Sequence, residues 1–135
     1  MKILIVEDRD LDAKLLRSVL EGSGHEVSRA DGADAAMQVI SHGFVPQAVV
    51  TDLDLPGTDG ITFARSLSRC SWMAHVPIIA LTAHPDHFPM RTENRAYFAA
   101  YVTKPFNTRT FADIVVFTCE QQNRLASYSA VGLNS

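Results

Sequence analysis

The sequence lacks the features that mark several large classes of protein. It contains two cysteines in 135 residues, Cys70 and Cys119. They do not have the spacing of metal ligands, so we expect them to pack as small hydrophobic residues. No stretch approaches the roughly 18 consecutive apolar residues of a membrane span. The first apolar run is also too short for a signal-peptide core. We therefore expect a cytoplasmic protein that does not enter a membrane.

The sequence also lacks a large excess of positive or negative charge. Charged residues make up 20% of the chain, the formal net charge is −3, and no five consecutive residues carry like charges. A nucleic-acid surface needs a basic stripe, so nucleic-acid binding is not predicted. The chain is 47% hydrophobic, and its length suits one domain that buries about two thirds of its unfolded surface. A single globular domain follows.

Short apolar runs alternate with segments of helical period, which predicts an α/β fold with a parallel sheet. Strands are predicted at residues 2–6, 25–29, 48–52, 77–81 and 99–103. Four of them are continuous apolar runs, as in strands that are covered on both faces. The second, His25–Arg29, is more polar and is predicted to lie at an edge.

Helices are predicted between these strands and after the last one. The spacing predicts them over residues 10–21, 33–41, 60–70 and from about 108 to 126. In the first helix we expect one inward stripe of Leu11, Leu15, Leu16, Val19 and Leu20. Pro85 and Pro89 predict a short or irregular fourth helix that begins only near Pro89.

Polar residues follow four of the apolar runs: Glu7-Asp8, Asp52, Thr82 and Lys104. In open α/β sheets this carboxyl edge is where ligands bind. Three neighbouring carboxylates repel one another unless a cation or a proton neutralises them, and Mg²⁺ is a hard cation that carboxylates bind. Beside it an aspartate can attack phosphorus, while a lysine and a hydroxyl hold phosphoryl oxygens. The pattern predicts a magnesium-dependent phosphoryl site.

The order of these motifs resembles the receiver domain of two-component response regulators, within the CheY-like superfamily. The resemblance covers the chain from Lys2 to about Ala126, and the motifs are Glu7-Asp8, Asp52 to Gly60, Leu81-Thr82-Ala83 and Lys104-Pro105-Phe106. It implies a flavodoxin-like, doubly wound (βα)5 sandwich with strand order 2-1-3-4-5. The receiver would span residues 1–126, with a tail or linker over 127–135. Within the family the chain resembles single-domain receivers, including the DivK-like subset, and the alternative is a receiver segment of a longer regulator that continues after Ala126.

The same resemblance implies a role for each residue at the sheet edge. Asp52 would accept a phosphoryl group from the phosphohistidine of a sensor histidine kinase or a histidine phosphotransfer protein. Asp8 would bind Mg²⁺ directly and Glu7 largely through water, with Asp52 and the backbone carbonyl of Asp54 completing the protein ligands. Lys104 would pair with Asp52 and then with the phosphoryl group. The chain would be a signalling domain, not an enzyme acting on a separate substrate.

The resemblance also implies a switch. Thr82 would move towards the phosphoryl group, and Tyr101 would follow from an exposed to a buried rotamer. This would change the face of helix 4, strand 5 and helix 5 that meets a downstream protein. Asp54 and His84 occupy positions that tune how long the phosphate lasts in this family, and the bond before Pro105 would be cis.

Two features bear on that face. The fifth helix holds more apolar residues than one buried stripe needs, which predicts a partner surface or a homodimer interface; they are Phe111, Ile114, Val115, Val116 and Phe117. The segment Asn94–Phe98 stands where the family commonly has a glycine-rich turn.

Three other functions fit parts of the pattern. A pseudo-receiver would keep the fold and act only by binding proteins, which retention of all five site residues disfavours. A haloacid-dehalogenase-like phosphatase would use Asp52-Leu53-Asp54, but that motif requires threonine where this chain has Pro56. A flavodoxin-like electron carrier needs a Ser, Thr and Gly-rich phosphate loop after the first strand, where Glu7-Asp8 would repel phosphate.

Overall fold

Strands and helices alternate along the chain in the computed structural model, which describes residues 1–87 and 92–134. The strands are β1 (Lys2–Val6), β2 (Glu26–Ala30), β3 (Ala48–Asp52), β4 (Ile78–Thr82) and β5 (Ala100–Thr103). The helices are α1 (Asp10–Gly22), α2 (Ala33–Ser41), α3 (Gly60–Ser68), α4 (Thr92–Arg95) and α5 (Phe111–Asn134).

The five strands form one parallel sheet in the order β2-β1-β3-β4-β5. This confirms the predicted strand order and the edge position of β2. The register pairs Val6 with Thr51 and Asp52 with Leu81, so neighbouring strands end nearly level. The residues that follow these strands therefore meet at one edge of the sheet.

The sheet separates two hydrophobic layers. Ile3 and Ile5 of β1 pack with α1 and α5, whereas Leu4 and Val6 pack with α2 and α3. All four side chains are fully buried. Successive strand residues point to opposite faces, so a sheet covered by helices on both sides needs an unbroken apolar strand.

The apolar stripe predicted for α1 was too wide. Its inward face consists of Ala13, Leu16 and Leu20, whereas Leu11 is 80% exposed and Leu15 is 44% exposed. The prediction that both leucines are buried was wrong because successive helical residues turn by about 100°. Leu11 therefore lies well away from the direction of Leu16.

The last two helices differ in how they compare with the predicted lengths. The fourth is short, four residues from Thr92 to Arg95, as predicted; Pro89 lies outside the described residues. The fifth continues to Asn134 instead of ending near residue 126. Residues 127–134 contain no proline to stop it. The assignment of 127–135 to a tail or linker stays a prediction. Within the described part of the chain, no helix is long and apolar enough to cross a membrane.

Candidate functional site

The predicted site residues converge at the carboxyl edge of the sheet. Glu7 directly follows β1, Asp52 and Thr82 end β3 and β4, and Lys104 follows β5. The Lys104 backbone N–H donates to the Thr82 carbonyl at 2.7 Å, which extends the pairing of the two strands into the site. Glu7, Asp52 and Thr82 are buried, whereas Asp8 is exposed.

Three carboxylates form a cluster at this edge. One oxygen from each of Glu7, Asp8 and Asp52 lies within 4.8 Å of the others. The cluster is buried on one side, through Glu7 and Asp52, and open to solvent at Asp8. A purely oxygen donor set of this kind suits a hard divalent cation such as Mg²⁺, which keeps some of its waters.

Lys104 is the cation at the centre of the site. Its Nζ lies 2.9 Å from Glu7 Oε2, 3.2 Å from Asp12 Oδ2 and 3.3 Å from Asp52 Oδ2. Burial lowers the pKa of Lys104, but the hydrogen bond from Nζ to Glu7 and the charge of Asp52 outweigh burial, so the pKa lies above its ordinary value. Lys104 therefore stays charged. The contact with Asp12 was not predicted.

Glu7 has the most perturbed carboxyl group of the cluster. Burial and the neighbouring charge of Asp52 raise its pKa from 4.5 to about 7, against the opposing hydrogen bond from Lys104. Glu7 Oε1 also accepts the Arg9 backbone N–H at 3.3 Å. Glu7 therefore holds a proton more readily than an ordinary glutamate does, and a bound cation would favour its ionised form.

Arg29 fixes the backbone of the acidic pair from the neighbouring strand. Its Nε and Nη2 donate to the Glu7 carbonyl oxygen at 3.0 and 2.9 Å, and its Nη1 donates to Asp10 Oδ1 at 3.0 Å. This bidentate contact ties β2 to the loop between β1 and α1. No role was predicted for Arg29, because no sequence pattern indicates a guanidinium that binds the backbone carbonyl of Glu7.

The loop after β3 places Asp52. Asp52 Oδ1 accepts the Asp54 backbone N–H at 3.1 Å, so its other oxygen faces Lys104. The loop closes where the Gly60 N–H donates to the Leu53 carbonyl at 2.9 Å. Asp59 caps α3, because its Oδ1 accepts the Thr62 N–H at 2.8 Å.

A cavity of about 240 Å³ opens above Asp52. Its wall includes both positions that were predicted to tune phosphate lifetime, Asp54 and His84. The full lining is Asp8, Arg9, Asp52, Asp54, Leu55, Pro56, Ala83, His84 and Lys104. A small anionic group can thus reach Asp52 between the acidic cluster and the loop after β4.

The two predicted switch residues lie on β4 and β5, and Thr82 contacts a residue of the cavity wall. Thr82 Oγ1 accepts the His84 backbone N–H at 3.0 Å. The His84 ring stacks on that of His87, with 5.0 Å between centroids. Tyr101 is half-buried on β5, and burial together with the charge of Asp86 raises its pKa. The predicted movements of Thr82 and Tyr101 stay predictions, whereas the cis bond between Lys104 and Pro105 is confirmed.

The predicted partner surface on α5 is exposed only in part. Phe111 and Val115 are fully buried, Ile114 and Val116 are half-buried, and Phe117 is 61% exposed. The segment before β5 has no glycine, and instead Tyr97 and Phe98 pack against the core. The guanidinium of Arg65 lies 5.8 Å from the Tyr97 ring centre.

Residues 3–116 match the sequence model of one family, described as the response regulator receiver domain. The chain belongs to the response regulator receiver family. It is thus a receiver domain of two-component signalling, and the acidic cluster matches the general ability of receivers to bind Mg²⁺.

The receiver is similar to a curated response regulator and to solved structures over most of their lengths. It is 29% identical over 114 residues to a polar-differentiation response regulator DivK from Brucella anthropi, covering 84% of this chain and 91% of the relative. A response regulator structure from Chloroflexus aurantiacus J-10-fl is 33% identical, with a TM-score of 0.80 and coverage of 88% and 97%. The chemotaxis response regulator CheY4 of Vibrio cholerae shares the fold at 21% identity, with a TM-score of 0.75 and coverage of 87% and 97%.

Proposed function

We propose that Asp52 is the phosphoacceptor of this receiver and takes its phosphoryl group from a phosphohistidine. A carboxylate oxygen of Asp52 attacks phosphorus, the P–N bond to the imidazole breaks, and the released imidazole takes up a proton. The single observation that carries the proposal is the position of Asp52. It lies at the floor of an open cavity, beside two further carboxylates and within 3.3 Å of Lys104 Nζ.

Glu7, Asp8 and Asp52 are the side chains that would hold Mg²⁺, with the backbone carbonyl of Asp54 as a further ligand. The oxygen donor set supports this assignment. When bound, the cation would neutralise the cluster and the charge that develops on the phosphoryl oxygens. Asp8 would bind the cation from the solvent-exposed side of the cluster, and any proton on Glu7 would be released to solvent.

Lys104 and Thr82 then hold the product. The Lys104 ammonium donates to a phosphoryl oxygen, and the Thr82 hydroxyl turns from its present contact with the His84 N–H to donate to another. Phosphorylation adds charge and acceptor oxygens, which only the conformation with Thr82 drawn inward satisfies. Tyr101 follows, and the surface of α4, β5 and α5 changes for a downstream protein. A histidine kinase or histidine phosphotransfer protein is the proposed donor.

Phosphorylation by acetyl phosphate, followed by intact mass measurement, tests the proposal. We expect one added phosphate in the wild type with Mg²⁺. None is expected in Asp52→Asn or in the presence of a chelator. Asp113→Asn is a matched control, because it removes an exposed carboxylate on α5 that does not line the cavity. Phosphate uptake by Asp52→Asn at the wild-type level would contradict the assignment.

The remaining alternative is a pseudo-receiver that binds partners without phosphate. Retention of Glu7, Asp8, Asp52, Thr82 and Lys104 in one assembled site favours the phosphorylated receiver. If no adduct accumulates, beryllofluoride separates the two: a stable Mg²⁺-dependent complex would indicate rapid hydrolysis, whereas no complex would indicate a pseudo-receiver.

A further inference from the structure

The hydrogen-bonding capacity of Lys104 is fully used in this structure. A lysine ammonium has three N–H donors and no acceptor. Three carboxylates lie within hydrogen-bond distance of Nζ, from Glu7 at 2.9 Å, Asp12 at 3.2 Å and Asp52 at 3.3 Å. A phosphoryl oxygen that is to be held by Lys104 must therefore displace one of them.

The three carboxylates differ in what they lose on displacement. The side chain of Glu7 is 0% exposed and that of Asp52 is 7% exposed, whereas that of Asp12 is 37% exposed. A buried carboxylate that loses its partner stays without water, so its desolvation is no longer compensated. A carboxylate that is open to solvent can bind water instead. Asp12 is therefore the partner that Lys104 can release most easily.

We propose that Asp12 is a positioning residue, which holds Lys104 before phosphorylation and competes with the incoming phosphoryl group for its ammonium. The inference rests on the proposed function of Asp52. Asp12 stands on the first turn of α1, so its carboxylate reaches Lys104 from the helix and not from the sheet edge. It keeps the site closed to weak anions and raises the donor concentration that phosphorylation requires.

Asp10 provides a matched control on the same helical turn. Its carboxylate bonds Arg29 Nη1 at 3.0 Å instead of Lys104, and its side chain is 80% exposed. Asp10→Asn and Asp12→Asn therefore change the net charge and the first turn of α1 alike. They differ in whether Lys104 loses a partner.

The rate of phosphorylation by acetyl phosphate measures the competition. We expect Asp12→Asn to lower the concentration for half-maximal rate about fivefold, the equivalent of about 1 kcal/mol for one partly exposed charge pair. Asp10→Asn should match the wild type. Asp12→Glu retains the charge and should restore most of the wild-type dependence, which a purely structural role of Asp12 would not explain.

A second measurement needs neither Mg²⁺ nor a phosphate donor. A double-mutant cycle of Asp12→Asn with Lys104→Met, read by urea unfolding, should show non-additive midpoints, and a cycle of Asp10→Asn with Lys104→Met should be additive. Additivity in both cycles would overturn the proposal, because it would show that Asp12 and Lys104 do not interact energetically. Non-additivity with unchanged phosphorylation kinetics would overturn the role. A wild type that takes up no phosphate would instead contradict the proposed function, and with it this inference.

Discussion

Gly60→Ala is expected to destabilise the protein at the point where α3 passes beneath the phosphoacceptor. A Cβ added to Gly60 would overlap the backbone carbonyl oxygen of Asp52 and lie 2.7 Å from Leu53 Cα and 2.9 Å from Leu53 Cδ2. Ordinary carbon contacts are about 3.5–4.0 Å. The start of α3 must therefore move away from the end of β3, or the loop between them must shift.

The cost follows from which atoms obstruct the methyl group. Two of the three are backbone atoms, in a loop already closed by the hydrogen bond from the Gly60 N–H to the Leu53 carbonyl at 2.9 Å. Overpacking of a buried site that cannot relax costs about 1–3 kcal/mol, and we expect the upper half of this range. For a domain of this size, the thermal midpoint should fall by roughly 5–12 °C.

Urea and thermal unfolding of Gly60→Ala and Gly22→Ala provide the assay. Gly22 ends α1, and an added Cβ there meets nothing within 4 Å, so Gly22→Ala should be neutral or up to about 1 kcal/mol more stable. Phosphorylation of Gly60→Ala should slow as well, because the carbonyl that moves belongs to Asp52. Unchanged stability of Gly60→Ala would show that the end of β3 can accommodate the added Cβ, contrary to this prediction.

Three further perturbations test the site. The pKa of Glu7 is raised by burial from 4.5 to about 7, so the folded metal-free protein should lose stability as pH rises from about 4.5 to 7. In thermal unfolding with a chelator, Glu7→Gln should lack this loss of stability with rising pH. An equal change of the thermal midpoint with pH in Glu7→Gln and the wild type would contradict the prediction. Asp59→Ala removes the cap of α3 and should cost about 1 kcal/mol in urea unfolding, which an unchanged midpoint would disprove. Lys104→Ala should still take up some phosphate, but without the response of Tyr101. A change in the NMR signals of Tyr101 like that of the wild type would show that Lys104 does not couple phosphorylation to Tyr101.

The sequence predicted the strands and the carboxyl-edge residues well because both depend on local pattern. A parallel strand covered on both faces must be an unbroken apolar run, as in β1 and β3, and the polar residue that ends the run must lie at the sheet edge. Glu7, Asp52 and Lys104 meet in the structure for that reason. Their chemistry could be predicted once the strands were placed.

Contacts made from a helix could not be predicted in the same way. The reach of Asp12 to Lys104 depends on how α1 is rotated against the sheet, which no local sequence pattern determines. The same rotation exposes Leu11. Arg29 lies on the edge strand, where its guanidinium reaches the Glu7 carbonyl, and no sequence pattern indicates a backbone partner.

The proposed function requires that the phosphoryl group resides on Asp52. Borohydride reduces an aspartyl phosphate to homoserine, so reduction of the acetyl phosphate-treated protein followed by peptide mass spectrometry locates the modified residue directly. We expect homoserine in place of Asp52, only in samples that contained Mg²⁺. Reduction at Asp8, Asp12 or Asp54 with Asp52 intact would contradict it.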